Sequence, residues 1–332
     1  MTNLKTTYLG LNLRNPIIAS SSGLTNTVDD IKEFAKNGIG AVVLKSIFEE
    51  DIRHELKEDM ISMNMHTDLY PENTEFYENY THDDTLTNYL RLIRESKKNV
   101  DIPIIASINC VTANKWPYYV KTLQEAGVDA LELNIFILPS NFDKTSQQNE
   151  KMYFDIIREV KKYAKIPITL KISYYSSGLG AFIQKLSKTG IEGLVLFNRF
   201  YSPDIDIKNF EILPTHVISS PQELAISLRW IGIMYNRVDC DLAASTGIHN
   251  GKAVIKQILA GANVVQIAST FYKNGKGIVK DMLADLSKWM ETNNFKKISD
   301  FRGILSQEKI KNPAVYERMQ FMKYFSGNTT LV

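Results

Sequence analysis

The chain has 332 residues, 44% of them hydrophobic, and its 39 basic and 37 acidic side chains leave a net charge of +2. That balance carries no electrostatic footprint for nucleic acid or an anionic membrane, and Cys110 and Cys240 stand too far apart, with the five histidines scattered, to predict a metal site, an iron–sulfur cluster or a disulfide scaffold. No run of about eighteen apolar residues occurs and the N-terminus shows no cleavage pattern, so the expectation is a cytoplasmic protein with a small-molecule partner, no nucleic acid and no membrane.

Taken in order, the chain repeats a strand followed by a helix. Pro16 opens the apolar run Ile17 to Ala19, which ends at Ser20, Ser21, Ser22 and Gly23; Val28 to Asn37 has amphipathic helical spacing, and Gly38 closes it as a left-handed cap would. Ala41 to Leu44 predicts a second strand, terminated by Lys45 and Ser46. Further strands end at Asn109, Asn134, Lys171 and Asn198, opened respectively by Pro103, Gly127, Pro167 and Gly190. Asp241 to Ser245 and Asn263 to Ile267 complete the set, joined by a helical pattern over Lys252 to Ala260. Between the others lie helical patterns at Leu86 to Lys97, Tyr118 to Ala126, Glu150 to Tyr163, Ala181 to Thr189 and Gln222 to Met234. Eight alternating units predict an α/β fold, a (β/α)8 TIM barrel in one domain over 1–332, rather than two doubly wound domains.

Two connections are too long for simple turns, Ile47 to Thr85 and Arg199 to Ser220, and lengths of that kind serve as lids, site walls or dimer surface. The first carries Glu49, Glu50 and Asp51, the second Tyr201, Pro203, Asp204 and Asp206. A helix from Gly277 to Asn293 closes the barrel, and a helix-like stretch from Pro313 to Tyr324 forms a C-terminal extension.

Active sites of such barrels lie at the C-terminal ends of the strands. The residues there are Ser22, Lys45, Asn109, Asn134, Lys171, Asn198, Thr246 and Ser269, all of them polar. A lysine continuous with a buried apolar strand is costly to bury unless something anionic meets it, which singles out Lys45 and Lys171. The unit from Asp241 to Phe271 brings two strand ends together, with Thr246 and Gly247 at one and Ala268, Ser269 and Thr270 at the other, so that hydroxyls and free N–H groups can cradle a phosphate. An ordinary crossover with polar turns has the same spacing, and this stretch alone leaves both readings open. Taken with two lysines and three asparagines, the cradle reading predicts a flat, polar ligand with a phosphate tail, for which flavin mononucleotide (FMN) is a fit.

Asn15-Pro16 leading to Ser22-Gly23, Lys45-Ser46, Glu132-Leu133-Asn134, Lys171 after Pro167, Asn198, Leu228-Arg229, Thr246-Gly247-Ile248 and Gly261-Ala262 to Ser269 together resemble the dihydroorotate dehydrogenase family over nearly the whole chain. The resemblance implies an FMN-dependent oxidoreductase acting on a CH–CH bond in pyrimidine biosynthesis, and a homodimer. It places Lys45 and Lys171 beside the flavin ring, Asn134 and Asn198 where flavin and substrate meet, and Ser22, Ser46, Asn109, Thr246, Gly247, Ala268 and Ser269 among the cofactor-binding residues. Thr246 and Ala268 stand where the family more often has glycine, and Ser269 where it has threonine.

The chain departs from the family pattern after Asn134. There the family reads roughly Asn-Leu-Ser-Cys-Pro-Asn, and the cysteine, or a serine in its place, removes a proton from dihydroorotate. Here the base position falls on Ile137, or on Leu138 with the gap placed otherwise, and neither can accept a proton. The asparagine-rich loop that helps hold orotate is not recognisable around Ser62 to Pro71. Ser140, Tyr174, Tyr175, Tyr201 and Cys110 follow strand ends, and none carries a signal that marks it as the base. The leading expectation is therefore an FMN-dependent oxidoreductase with an altered substrate. A flavin-binding barrel without turnover and a flavin-free phosphate-binding lyase or isomerase using a Schiff-base lysine are the alternatives.

Overall fold

The computed structural model describes residues 2–48, 85–109, 116–200, 202–215 and 217–317. A short antiparallel hairpin, β1 (Thr6–Tyr8) with β2 (Leu11–Leu13), leads into the barrel. The barrel strands are β3 (Ile17–Ala19), β4 (Ala41–Val43), β6 (Ile104–Asn109), β7 (Ala130–Asn134), β8 (Ile168–Ile172), β9 (Gly193–Leu196), β12 (Asp241–Ser245) and β13 (Val264–Ile267). Each pairs in parallel with the next, and β13 returns to β3, so the sheet closes on itself and the expected (β/α)8 barrel is found. A two-residue strand β5 (Ile47–Phe48) runs on past β4 to pair with the end of β6.

Helices follow the strands: α1 (Val28–Lys36), α2 (Thr85–Asn99), α3 (Trp116–Glu125), α4 (Ser146–Lys161), α5 (Leu179–Ser187), α6 (Leu224–Met234), α7 (Gly251–Ala260), α8 (Ser269–Asn274) and α9 (Ile278–Thr292). Their starts are set by side chains that satisfy otherwise unpaired N–H groups: Thr27 accepts from Asp30 N–H, Thr145 forms a reciprocal box with Gln148, and Asn250 accepts from Ala253 N–H. Gly38, at φ 93°, ends α1 in the left-handed region as expected.

The period of two along each strand divides the core in two. Leu131, Leu133, Ile168, Leu170, Ile172, Val265 and Ile267 face outward into the layer beneath the helices. Ile18, Ala41, Val43, Ile105, Ala130, Val195, Ala243 and Val264 form a separate apolar cluster with Tyr8, Leu9 and Leu13, so the N-terminal hairpin plugs the floor of the barrel. Tyr8 carries its hydroxyl to Thr169 Oγ1 at 2.9 Å. Two residues further along the same strands, the inward rows turn polar: Ser107, Glu132, Lys171, Ser245 and Gln266 are all buried. An apolar floor and a polar mouth thus follow from one alternation.

The connection from Arg199 to Ser220 contains a hairpin that the sequence pattern did not reveal, β10 (Ser202–Asp206) with β11 (Glu211–Thr215). Pro203 and Pro214 pair across it, and proline within a run argues against a strand, which is why the pattern read as loop. Pro313–Tyr316 is a single 3-10 turn, and the expected helix beyond it runs outside the described residues from 318 onward. Glu49, Glu50, Asp51, the stretch 62–71, Cys110 and Tyr201 also lie outside them. Among the described residues no helix is long and apolar enough to cross a membrane.

Candidate active site

A cavity of about 240 Å³ opens at the C-terminal ends of the strands. Of the residues expected there, Lys171, Asn198, Thr246, Gly247, Ala268 and Ser269 line it. Ser20, Ser21, Arg199, Ser219 and Gln266 line it as well, without having been singled out as site residues. The alternation was the available signal for two of them: with Ile18 and Val264 facing inward, Ser20 and Gln266 must face inward too.

Lys171 is buried, and what meets it is the protein's own. Its ammonium donates to Ser20 Oγ at 3.0 Å and to Gln266 Oε1 at 3.5 Å, and it stands 3.9 Å from Glu132 Oε1. Glu132 is fully buried and accepts from Gln266 Nε2 at 2.6 Å. The anion inferred for a buried lysine is therefore Glu132 at this position. Lys45, by contrast, is exposed: β4 ends at Val43 and the inward alternation lapses before Lys45, so the burial argument does not apply to it.

The remaining expected residues stand off the cavity. Asn134, half-buried, accepts from Asn198 Nδ2 at 2.6 Å and so reaches the cavity wall through Asn198. Ser46 joins a buried hydroxyl chain, 3.1 Å from Ser21 Oγ and 2.7 Å from Ser107 Oγ. Ser22 caps the 3-10 turn Gly23–Thr25, its hydroxyl accepting from Leu24 N–H, and the wall at this strand end is made by Ser20 and Ser21 instead. Asn109 is half-buried at the end of β6, beside Phe48.

Thr246 and Gly247 are both at φ 76°. A β-branched residue is strained there, which is the physical reason a glycine suits position 246; Thr246 Oγ1 donates to Phe197 O at 3.3 Å. The close approach that Gly247 permits is to protein: a Cβ on it would lie 2.1 Å from Leu224 N. Gly247→Ala is thus expected to cost about 2–5 kcal/mol, from left-handed strain together with overpacking against the start of α6. A urea titration checks this, and an unchanged midpoint would refute it.

At the opposite strand end, the leading N–H groups of α8 have no partners within the helix. Ser269 Oγ accepts from Ser219 N–H at 3.0 Å, and Lys273 donates to Ser219 O at 3.2 Å, which ties the 199–220 connection to this end of the cavity. His249 bridges Thr270 Oγ1 and Ser219 Oγ. Because Thr270 gives its proton to Ile248 O, it accepts from His249 Nδ1, and Nε2 accepts from Ser219. Burial, followed by the charge of Lys273, holds His249 below its ordinary pKa and so favours this neutral form.

The loop after Asn134 divides. Ile135 is buried in the outer core, and Phe136 stacks on Phe200 with centroids 3.6 Å apart. Ile137 lines a separate cavity of about 360 Å³ with Tyr153, Tyr175 and Phe182, and Leu138 is 49% exposed. Of the other residues weighed as a base, Ser140 is exposed. A hydrogen bond to Tyr175, then burial, push the Tyr174 phenol up to about 12. Tyr175 is partly exposed and faces the Ile137 cavity.

Hydroxyls and loop N–H groups, with a lysine, an asparagine and a glutamine, make a polar lining that fits an anionic tail and the polar edge of a conjugated ring. The closed barrel with this polar mouth defines the class, a (β/α)8 TIM barrel with a cavity at its strand ends whose lining fits a phosphate-tailed cofactor. Residues 3–290 match the family model described as dihydroorotate dehydrogenase. Similar proteins include catalytic subunits of dihydroorotate dehydrogenase B (NAD(+)). That of Methanocaldococcus jannaschii is 27% identical, covering 80% of this chain and 86% of its own length. That of Thermoplasma volcanium is 26% identical, with 92% and 99% covered, and that of Alkaliphilus metalliredigens 25% identical, with 91% and 99% covered. The chain belongs to the dihydroorotate dehydrogenase family. It is accordingly an FMN-dependent oxidoreductase acting on CH–CH groups.

Proposed function

We propose that this chain carries out a dihydroorotate dehydrogenase-like oxidation or reduction on a substrate altered from dihydroorotate. The observation that carries the reading concerns the two residues on which the base position falls, Ile137 or Leu138: neither can take a proton, Ile137 lines a cavity apart from the one between Lys171 and Ser269, and Leu138 is half exposed. The aromatic group Phe136, Phe200, Tyr175, Tyr174 and Phe197, each ring within 5.8 Å of the next, offers a less polar wall than the family's loop. In this reading Lys45 and Lys171 favour the negatively charged reduced cofactor, and Asn134 and Asn198 orient ring and substrate. Thr246, Gly247, Ala268 and Ser269 hold the phosphate, with Ser22, Ser46 and Asn109 completing the surroundings. FMN supplies the redox chemistry when bound.

The same reading makes the chain a cytoplasmic homodimer. Ile205, Ile207, Phe210 and Ile212 on the β10–β11 hairpin are 67–90% exposed, an apolar surface that a second copy would cover. The test is direct. The purified chain is expected to be yellow and to release FMN, identified by mass, on denaturation, and Ser269→Glu is expected to expel it by repulsion between carboxylate and phosphate. Full flavin occupancy in Ser269→Glu would move the phosphate elsewhere. A bound flavin that no candidate substrate reduces or reoxidises would favour a carrier without turnover.

A further inference from the structure

Glu132 does not line the cofactor cavity, yet it is a fully buried carboxylate at the centre of the polar row beneath it. A carboxylate can only accept, so its 2.6 Å contact fixes which end of the Gln266 amide it meets: Nε2 points to Glu132, and Oε1 is turned towards Ser20 and Lys171. Ser20 then donates to Gln266 Oε1 at 3.2 Å and accepts from Lys171, so every proton in the circuit has one placement. Lys171 gives two donor directions to this circuit, and its side chain also lines the cavity. Glu132 Oε1 makes no hydrogen bond among the described residues and stands 3.9 Å from the ammonium, because the other oxygen is held by Gln266. The carboxylate therefore opposes the charge of Lys171 without drawing it out of reach of the cavity.

We propose that Glu132 is a positioning residue that, without touching the cofactor, sets how strongly Lys171 favours its reduced form. The proposal rests on the placement of Lys171 beside the flavin given above. A negative charge directly behind the ammonium weakens the field the cofactor meets, in a buried site where such fields are little screened. Glu132 and Lys171 therefore act with opposite sign: losing the lysine disfavours the reduced form, and losing the carboxylate favours it.

The experiment is an anaerobic dye-linked titration of the FMN-loaded protein, comparing wild type with Glu132→Gln, Glu132→Asp and Lys171→Met. Glu132→Gln is expected to raise the reduced-to-oxidised equilibrium constant about tenfold, which is about 30 mV for a two-electron couple. Glu132→Asp draws the carboxylate back by one methylene while keeping its charge, and is expected to shift the potential the same way by less. It carries the test if Glu132→Gln does not retain flavin. A fall in Lys171→Met with no rise in either Glu132 variant overturns the proposal and leaves Glu132 a structural partner. An unchanged potential in Lys171→Met overturns the placement of Lys171 itself, and the proposal with it.

Discussion

Lys171→Met is expected to lower the reduction potential of the bound flavin and to slow its reduction. On the proposed placement the ammonium favours the negatively charged reduced form by the worth of a charge-assisted contact, about 1.5–3 kcal/mol. For a two-electron couple that is about 30–65 mV. A second effect is expected on stability. Lys171 is the cation nearest the buried Glu132 among the described residues, and removing one member of a buried pair strands the other, at about 3–5 kcal/mol. Urea titration of the apoprotein reads the second effect and potentiometry the first. A destabilised variant with an unchanged potential would make Lys171 a core residue with no part in tuning the cofactor.

Dihydroorotate is expected to bleach the flavin slowly or not at all, even at full cofactor occupancy. A positioned base contributes roughly a hundred to ten thousandfold, and on the proposed reading the family's base position falls on Ile137 or Leu138, neither of which accepts a proton. Cysteine at position 137 is not expected to restore the rate. The Ile137 side chain lines the cavity shared with Tyr153 and Phe182, so a thiolate there would face away from the Lys171 cavity. Cysteine at 138 fares no better, since Leu138 is half exposed to solvent. Misplacement by about 1 Å already costs on the order of a hundredfold. Stopped-flow reduction of wild type and both variants is the measurement. Rapid bleaching of the wild type would show that another group takes the proton, with Ser140 the first suspect.

Local chemistry that repeats along the chain was legible in the sequence. Alternating strand and helix patterns, opened by Pro16, Pro103 and Pro167 and punctuated by Gly38, Gly127, Gly190 and Gly261, gave the order of the barrel, because period and punctuation depend on near neighbours only. The polar strand ends were legible for the same reason, and six of the expected residues line one cavity. The family resemblance drew on the same positions.

Closure of the ring decided the rest. Lys45 and Lys171 look alike in sequence, each ending an apolar run, yet one is exposed and the other buried against Glu132, because β4 stops two residues short of Lys45 while β8 carries Lys171 inside its alternation. Gln266 reaches Glu132 from 134 residues away, a pairing that no periodicity within either strand encodes. Gly247 is required by the backbone of Leu224 across the turn, and Ile137 is directed by the packing of its loop over α4 and α5. Side-chain period sets which face a residue occupies; only the closed barrel sets what stands opposite it.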